Sequence, residues 1–423
     1  MLKFRRVGAA KVLLAVLIFV MAAFILLSFS KEKFDARALL FMALTMLLIM
    51  VQHMLLCFIL PNGDRLTGVL VGFLMGIGLV MQYRLNADTA LRQLIFSCFG
   101  LAAMVIMLML MKKPIMLMYL RIPAAIISLG ILGALMFVGK ESGGAVNWIS
   151  IGGILFQPSE FVKIAMIIVL AGAMSERTSL RELIVPTLFA VAVCALLVLQ
   201  RDLGAAMLMA MVYMLMFYAA TCKLGTTLLG AAACGVGAVA SYYLFDHVKR
   251  RVAVWRDPWA TYSTSGYQIA QGLMAIASGG LLGMGLGLGS PKLIPAYRTD
   301  YIFAVICEEF GIVFGIGIIA IYLIIVIRGC MAALNVKNRF VSLCAFGASA
   351  LIAVQAFIII GGVIKLIPLT GITMPFVSYG GSSLIAFMML HGIIQAASDI
   401  GAGELERALE ADEDEGESGE DDT

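Results

Sequence analysis

The chain has 423 residues, of which 62% are hydrophobic and 13% charged, and its mean hydropathy is +1.02. A soluble globular protein is nearer half apolar and a quarter charged, so this composition excludes a fold surrounded by water. The net charge of +4 is unevenly divided: segment 404–423 holds 11 of the 26 acidic residues and only one of the 30 basic ones, which leaves a basic body suited to anionic lipid or a phosphate-bearing substrate.

Twelve apolar stretches predict an all-α, polytopic membrane protein with about 12 transmembrane helices, because about 20 mainly apolar residues cross the hydrocarbon core of a bilayer. The tight junction at Gln200-Arg201-Asp202 leaves one alternative open, a single kinked segment in place of two spans. The stretches lie at 10–30, 38–60, 66–83, 92–111, 119–139, 158–174, 182–199, 203–221, 225–245, 301–327, 340–365 and 376–397.

The distribution of lysine and arginine predicts that both termini are cytoplasmic. With the N-terminus inside, 15 basic residues fall on the cytoplasmic side and eight in the short outer loops, in agreement with the positive-inside rule. An even number of helices then returns the C-terminus to the cytoplasm. Segment 398–423 ends in ADEDEGESGEDDT, which is too polar to bury a core, so we expect an acidic disordered tail.

Two loops on the predicted outer face are informative. Segment 140–157 is rich in glycine and ends at Pro158, a residue favoured in the first turn of a helix. Segment 246–299 is too long for a simple connector and is partly apolar, so we expect short amphipathic helices along the membrane surface, near a lipid-borne ligand. Its alternating glycines, from Gly283 to Gly289, follow no strand and do not indicate a nucleotide site, and no nucleic-acid partner is expected.

Charged side chains are costly near the bilayer centre, so each requires a partner or a wet cavity. Glu160 and Lys163 lie three residues apart on one helix face, where they form either a structural ion pair or a site in which Lys163 offers its charge to a phosphate. Asp202 stands at the head of a helix, where capping free N–H groups and contacting a ligand are both open to it.

Asp300 lies where a polar loop meets a long apolar helix, and it is either a helix cap or a functional carboxylate. Arg298 stands two residues before it. Glu308 and Glu309 follow two turns into the helix, where they indicate either hydrogen bonds to neighbouring helices or a polar interior with a cation.

Two further segments carry polar groups on the same side. KRRVAVWRDPW, at 249–259, interleaves cations such as Arg251 with tryptophans, which fits either headgroup anchoring or an anion clamp. IPLTGITMPFVSYGGSS, at 367–383, places Ser378 and Tyr379 in a polar break at membrane depth, which is tolerated only inside protein or beside a cavity. Together these segments predict one outward-facing cavity, suited to transfer chemistry on a lipid-linked phosphate.

Five ordered segments resemble the signatures of the SEDS family (FtsW, RodA and SpoVE), over residues from about 66 to 397. They are NWISIGGILFQPSEFVKI, QRDLGAAM, YQIAQGLMAIASGGLLGMGLG, RTDYIFAVICEEFG and PFVSYGGSSLI. The resemblance implies a ten-helix core at 66–397, preceded by two extra helices within 1–65. It also implies a peptidoglycan glycosyltransferase that polymerises lipid II on the outer face of the bacterial cytoplasmic membrane with a class B penicillin-binding protein, for division or elongation.

The resemblance also implies roles for individual residues. Asp300 would be the catalytic carboxylate, which accepts the proton of the acceptor sugar's 4-hydroxyl. The substrate-binding residues would include Glu160, Lys163, Asp202 and Arg92, which match polar positions of the family. The polar segments described above add Arg251, Arg298, Ser378 and Tyr379 to the predicted substrate-binding residues. A divalent cation, Mg²⁺ or Mn²⁺, is a candidate for balancing phosphate charge, and no organic cofactor is expected. Two other functions remain open, a flippase for the same precursor and a non-catalytic scaffold for division or elongation enzymes.

Overall fold

The computed structural model describes residues 8–29, 34–142, 145–151, 154–176, 179 and 181–420. Parts of the predicted tail, of loop 140–157 and of the basic N-terminal segment lie outside the described residues. The first half of the fold consists of α1 (Ala9–Phe29), α2 (Ala36–Ile59), α3 (Arg65–Leu85), α4 (Ala87–Met111), α5 (Pro114–Tyr119), α6 (Arg121–Val138), β1 (Lys140–Ser142), β2 (Ala145–Ile151), β3 (Ile154–Phe156) and α7 (Ser159–Ser175).

The second half begins with a tight helical hairpin and ends with the longest helix. It consists of α8 (Ile184–Leu199), α9 (Leu203–Thr221), α10 (Leu224–Leu244), α11 (Asp246–Arg256), α12 (Tyr267–Gly279), a short 3₁₀ turn (Pro291–Leu293), α13 (Ile302–Phe310), α14 (Ile312–Asn335), α15 (Arg339–Val363) and α16 (Gly381–Glu420). The short helices α11 and α12 confirm the prediction of helices within segment 246–299.

The fold is an all-α membrane bundle, and each of the 12 predicted apolar stretches contains a helix. Within the described residues, ten helices are long and apolar enough to cross a membrane. The other two, α7 and α8, are shorter, with 17 and 16 residues. Most residues of α3 and α15 are buried, whereas α10 has none that is buried. The core therefore forms around α3 and α15, and α10 lies at the periphery.

The junction at Gln200-Arg201-Asp202 separates two antiparallel helices, so the alternative of one kinked segment is wrong. Arg201 takes a positive φ of 61°, which reverses the chain between α8 and α9. The hydroxyls of Thr187 and Tyr213 lie 2.7 Å apart across the pair, and the Cys194 thiol donates to the carbonyl of Ala206. The contact partner of Thr187, near the start of α8, lies in the second half of α9, and the partner of Cys194, further along α8, lies near the start of α9. The two helices therefore run antiparallel.

The connections of the bundle form two opposite faces. On one face the middle of α16 contacts three inter-helix turns: the Asn62 N–H donates to Asp399 at 3.0 Å, Lys112 lies 3.7 Å from Asp399, and the Lys337 N–H donates to Glu404 at 2.8 Å. The other face carries the β-strands, the turn after α8, the segment from α11 to α13 and the segment before α16.

Loop 140–157, for which no strand was predicted, contains a small antiparallel sheet in the order β1-β2-β3. Ile149 pairs with Phe156, Ser150 with Leu155 and Ile151 with Ile154. Branched residues such as Ile149 and Ile151 favour this extended backbone. The Val146 N–H, in β2, donates to the Gln200 carbonyl at 3.0 Å, so the sheet lies beside the turn after α8.

The apolar stretch 301–327, predicted as one helix, is broken at Gly311 into α13 and α14. Gly311 takes a φ of 86°, and a Cβ at this position would overlap the backbone of Leu281 and Leu282. The Ile312 N–H donates to the carbonyl of Gly280 across this contact. The close approach of segment 280–283 therefore sets the break. The sequence of stretch 301–327 alone does not reveal this contact.

The acidic tail predicted to be disordered from residue 398 begins instead as a continuation of α16, which extends to Glu420. Extending an existing helix avoids the cost of nucleation. The contacts of Asp399 and Glu404 with the neighbouring turns stabilise these added turns. The predicted boundary at residue 397 is therefore too early.

Candidate functional site

A cavity of about 580 Å³ opens on the face that carries the β-strands, and we call it the Asp300 cavity. Segments far apart in sequence form its wall: β2, the first turns of α7, the turn between α8 and α9, α11, the loop before α13 and the loop before α16. Its charged and aromatic lining comprises Trp148, Glu160, Lys163, Arg201, Asp202, Arg250, Arg251, Asp300 and Tyr379. The structure thus brings six of the nine predicted site residues together.

Asp300 lies in the wall of the cavity, at the end of a loop whose turn is closed by its own N–H donating to the Ala296 carbonyl at 3.1 Å. Gly371 faces it with a φ of 79°, and a Cβ on Gly371 would lie 3.6 Å from Asp300 Oδ2. Burial raises the pKa of Asp300, although a hydrogen bond from Thr299 and the charge of Arg251 act to lower it. A carboxylate with a raised pKa is the stronger proton acceptor.

The loop that carries Asp300 is fixed from three directions. The Arg298 carbonyl accepts from Gln82 Nε2 at 3.2 Å and from the Tyr379 N–H at 3.0 Å. The Ser378 hydroxyl donates to the Thr299 carbonyl at 2.6 Å. Since hydrogen bonds hold both residues that precede Asp300, its carboxylate is presented by a restrained backbone.

Glu160 and Lys163 form an ion pair of 2.7 Å, and their side chains are only 8% and 4% exposed. Lys163 also donates to Gln355 Oε1 at 2.9 Å and lies 5.6 Å from the centre of the Phe387 ring. Gln355 in turn donates to the Thr373 carbonyl at 2.8 Å. The pair is therefore a structural ion pair, because it ties α7 to α15, and it also lines the cavity in which Lys163 was predicted to face a phosphate.

Asp202 is the N-cap of α9, where its side chain accepts from the Ala205 N–H at 3.0 Å. Its other oxygen accepts from Asn147 Nδ2 at 2.6 Å, which links α9 to β2. The capping role considered from sequence is present, and the same carboxylate lines the cavity. Both of its oxygens have partners, in contrast to a carboxylate kept free for proton transfer.

Arginines supply most of the positive charge. Arg251 donates to the Thr370 carbonyl at 3.1 Å and lines the cavity as predicted. Arg201 and Arg250 also line it, although neither was among the predicted substrate-binding residues; Arg250 belongs to the segment considered as an anion clamp. Their positions in the sequence could have identified them, since Arg201 directly precedes Asp202 and Arg250 directly precedes Arg251. Four cations and three carboxylates thus face the same space.

Three predicted residues lie outside the cavity. Arg92 is exposed on α4. Arg298 points to Thr89, whose hydroxyl lies 3.2 Å from its Nη1, and it lies over the Tyr297 ring at 5.1 Å. Ser378 is 3% exposed and its hydroxyl accepts from the Met374 N–H, so it holds the loop before α16 and is not placed to contact substrate.

Glu308 and Glu309 accept hydrogen bonds from α3, a neighbouring helix as one alternative predicted, and also from the glycine-rich loop between α12 and α13. Glu309 accepts from Arg84 Nε and from the Gly287 N–H, both at 3.0 Å. Glu308 accepts from the Ser290 N–H at 3.0 Å. The two acids therefore lie beside the C-terminal end of α3, where protein donors pair with both oxygens of Glu309 and with one oxygen of Glu308.

A metal site built by protein alone does not fit the carboxylates of the cavity. Within the described residues, no three His, Cys, Asp or Glu side chains lie close enough together to hold a metal ion. Glu160 and Asp202 already have fixed partners, and Asp300 is the remaining carboxylate of the lining. Mg²⁺ is often held by one or two carboxylates together with substrate phosphates, an arrangement for which Asp300 suffices.

Comparisons with known proteins give consistent matches. Residues 64–400 match the FtsW, RodA and SpoVE family, described as cell cycle proteins. The peptidoglycan glycosyltransferase RodA of Mycobacterium tuberculosis is 34% identical over 368 residues, which cover 80% of this chain and 78% of the relative. Stage V sporulation protein E of Bacillus subtilis is 34% identical over 351 residues, which cover 79% of this chain and 96% of the relative.

Solved structures show the same fold. A chain from a study of the structural coordination of polymerization and crosslinking by a peptidoglycan synthase complex matches with a TM-score of 0.68 and 25% identity, covering 79% of this chain and 97% of the other. The crystal structure of the rod shape determining protein RodA from Thermus thermophilus matches with a TM-score of 0.61 and 25% identity, covering 79% and 96%.

Proposed function

Because this chain belongs to the FtsW, RodA and SpoVE family and is a peptidoglycan glycosyltransferase, we propose that it polymerises lipid II in the Asp300 cavity. The observation that carries this proposal is the meeting of one available carboxylate with four cations in a single cavity. Burial raises the pKa of that carboxylate. A base beside positive charge is what glycosyl transfer from a pyrophosphate requires.

In the proposed mechanism, Asp300 accepts the proton of the 4-hydroxyl of the acceptor sugar. The hydroxyl oxygen attacks the anomeric carbon of the donor sugar, and the bond from that carbon to the pyrophosphate oxygen breaks. The polyprenyl pyrophosphate leaves with the electron pair. Arg201, Arg250 and Arg251 stabilise the developing negative charge, since guanidinium groups bind phosphate oxygens with paired hydrogen bonds.

The protein is a multi-pass membrane protein, and we propose that it lies in the bacterial cytoplasmic membrane with the Asp300 cavity facing outward. The opposite face carries most of the basic residues at the ends of described spans, which supports this orientation by the positive-inside rule. Both termini are then cytoplasmic. The residues concerned are Arg65, Lys112, Lys113, Arg121, Arg181, Lys223, Arg328, Lys337, Arg339 and Arg407.

A class B penicillin-binding protein is the proposed partner. The similar chain of a peptidoglycan synthase complex, in which polymerization and crosslinking are coordinated, supports this assignment. A divalent cation stays a proposal as well, with Asp300 and substrate phosphates as its ligands, where it would neutralise phosphate charge. Polymerisation rates measured with Mg²⁺, with Mn²⁺ and with a chelator test this proposal. Equal rates under all three conditions would contradict a role for a divalent cation.

The decisive experiment compares Asp300→Asn with Asp88→Asn, purified with the partner and supplied with labelled lipid II. Asp88 is an exposed aspartate in the first turn of α4, outside the cavity, and it serves as the matched control. We expect Asp300→Asn to lose at least about a hundredfold in rate, the usual contribution of a general base, and the control to keep its rate. Full polymerisation by Asp300→Asn would remove Asp300 from this role, and precursor crossing liposomes without polymer would indicate a flippase.

A further inference from the structure

The two N-terminal helices α1 and α2, here called the N-terminal hairpin, lie before residue 64, where the family match begins. We propose that this hairpin positions the catalytic loop, and that it acts through Tyr83 at the end of α3. The inference rests on the proposed function, because the loop it reaches carries Asp300. Tyr83 and Asp35 are therefore assigned as positioning residues for polymerisation.

The hairpin contacts both the ring and the hydroxyl of Tyr83. Its ring lies 5.6 Å from that of Phe24 on α1 and 4.8 Å from that of Phe41 on α2. Its hydroxyl donates to Asp35 Oδ2 at 3.0 Å, and Asp35 is the N-cap residue of α2. The side chain is 5% exposed. This combination of two rings and a hydrogen bond fixes the direction in which Tyr83 leaves α3.

Three successive residues at the end of α3 make three different contacts. Gln82 donates to the Arg298 carbonyl at 3.2 Å, Tyr83 contacts the hairpin, and Arg84 pairs with Glu309 at 3.0 Å. Successive residues of an α-helix are separated by about 100° around its axis. A rotation of α3 that releases Tyr83 therefore also moves Gln82 away from Arg298, two residues before Asp300.

A second contact connects the hairpin to the same region. Phe19 on α1 packs against Phe73 on α3, Phe310 on α13 and Phe314 on α14, with ring centres 5.3 to 5.9 Å apart. Phe310 directly follows Glu309, the partner of Arg84. The hairpin thus contacts α3, which donates a hydrogen bond to the catalytic loop, and α13, which directly follows this loop. It restrains the position of these two helices relative to each other.

The test uses the full-length chain with its partner and removes single groups. Tyr83→Phe deletes only the hydroxyl, and Asp35→Ala deletes its acceptor. We expect each to lower kcat about three- to tenfold, the effect of one hydrogen bond, with KM for lipid II unchanged, and the double variant to be no slower than the slower single variant. Tyr119→Phe, at an exposed tyrosine on α5, is the matched control and should keep its kcat.

A second measurement does not depend on activity. Amide hydrogen exchange of residues 296–301 should become several-fold faster in Tyr83→Phe and stay unchanged in Tyr119→Phe, because the Asp300 N–H bond to Ala296 closes this loop. Unchanged exchange together with unchanged kcat would overturn the inference. Faster exchange in Tyr83→Phe alongside full activity of Asp300→Asn would retain the positioning role and reject Asp300 as the base.

Discussion

Breaking the buried ion pair between Glu160 and Lys163 should be costly, and by unequal amounts for its two members. Removing one partner of a buried pair costs about 3–5 kcal/mol, because a charge is left buried without compensation. In Glu160→Gln, Lys163 keeps its hydrogen bond to Gln355 and its contact with the Phe387 ring, so we expect about 3 kcal/mol. In Lys163→Met, the carboxylate loses the cation 2.7 Å away, and we expect about 5 kcal/mol.

The double variant, Glu160→Gln with Lys163→Met, decides whether this reasoning holds. With both charges removed, the loss should be under about 3 kcal/mol, well below the sum of the two single losses. Equilibrium unfolding in mixed micelles measures the free energies. The exposed pair of Asp246 and Lys249, also three residues apart on a helix, is the control, and Asp246→Asn should cost under about 1 kcal/mol. Additive losses in the double variant would show that the two charges are not coupled.

Three further predictions concern pH and backbone conformation. Because burial raises the pKa of Asp300, polymerisation should fall on acidification with a midpoint above about pH 4, the range of an ordinary aspartate, in a pH–rate profile. Gly371→Ala forces a side chain onto a φ of 79° beside Asp300 and should lower both kcat and the unfolding free energy, the latter by about 1–2 kcal/mol, whereas Gly235→Ala on α10 meets nothing within 4 Å and should not. Burial acts to raise the pKa of Asp64, but hydrogen bonds from Arg328 and Thr67 and the Arg328 charge outweigh it and lower the pKa. The stability that Asp64 contributes is thus present above its unfolded-state pKa and lost as pH falls through its lowered folded-state pKa. Asp64→Asn should therefore reduce the dependence of the unfolding free energy on pH below about pH 4, as measured by unfolding at a series of pH values.

The helical part of the fold follows from the sequence because hydrocarbon imposes one rule on every span. Backbone polar groups in lipid must be paired within the segment, so a long apolar run becomes a helix. The departures occur where contacts with distant residues decide the backbone. Gly311 breaks a helix because the outer loop approaches it, and strands β1 to β3 form in a segment with glycines that indicated a loop.

Every predicted apolar stretch contains a helix, but only some of the predicted site residues line the cavity. Motif positions identified Glu160, Asp202 and Asp300, whose side chains leave elements with a fixed direction into the cavity. The prediction for Arg298 was wrong because it lies in the same loop as Asp300, with only Thr299 between them, and a loop can turn nearby side chains to opposite sides. Arg201 was missed because the left-handed turn that points it to the cavity is not visible in the sequence.

The three carboxylates of the cavity differ in the partners that hold them. Glu160 pairs with the Lys163 ammonium, and Asp202 accepts from Asn147 and from the Ala205 N–H at the start of α9. For Asp300, burial has already disfavoured the charged form. Proton uptake there relieves that cost. Contacts within the protein thus account for Glu160 and Asp202 in the cavity wall, and this difference supports the proposal that Asp300 accepts the proton in each transfer.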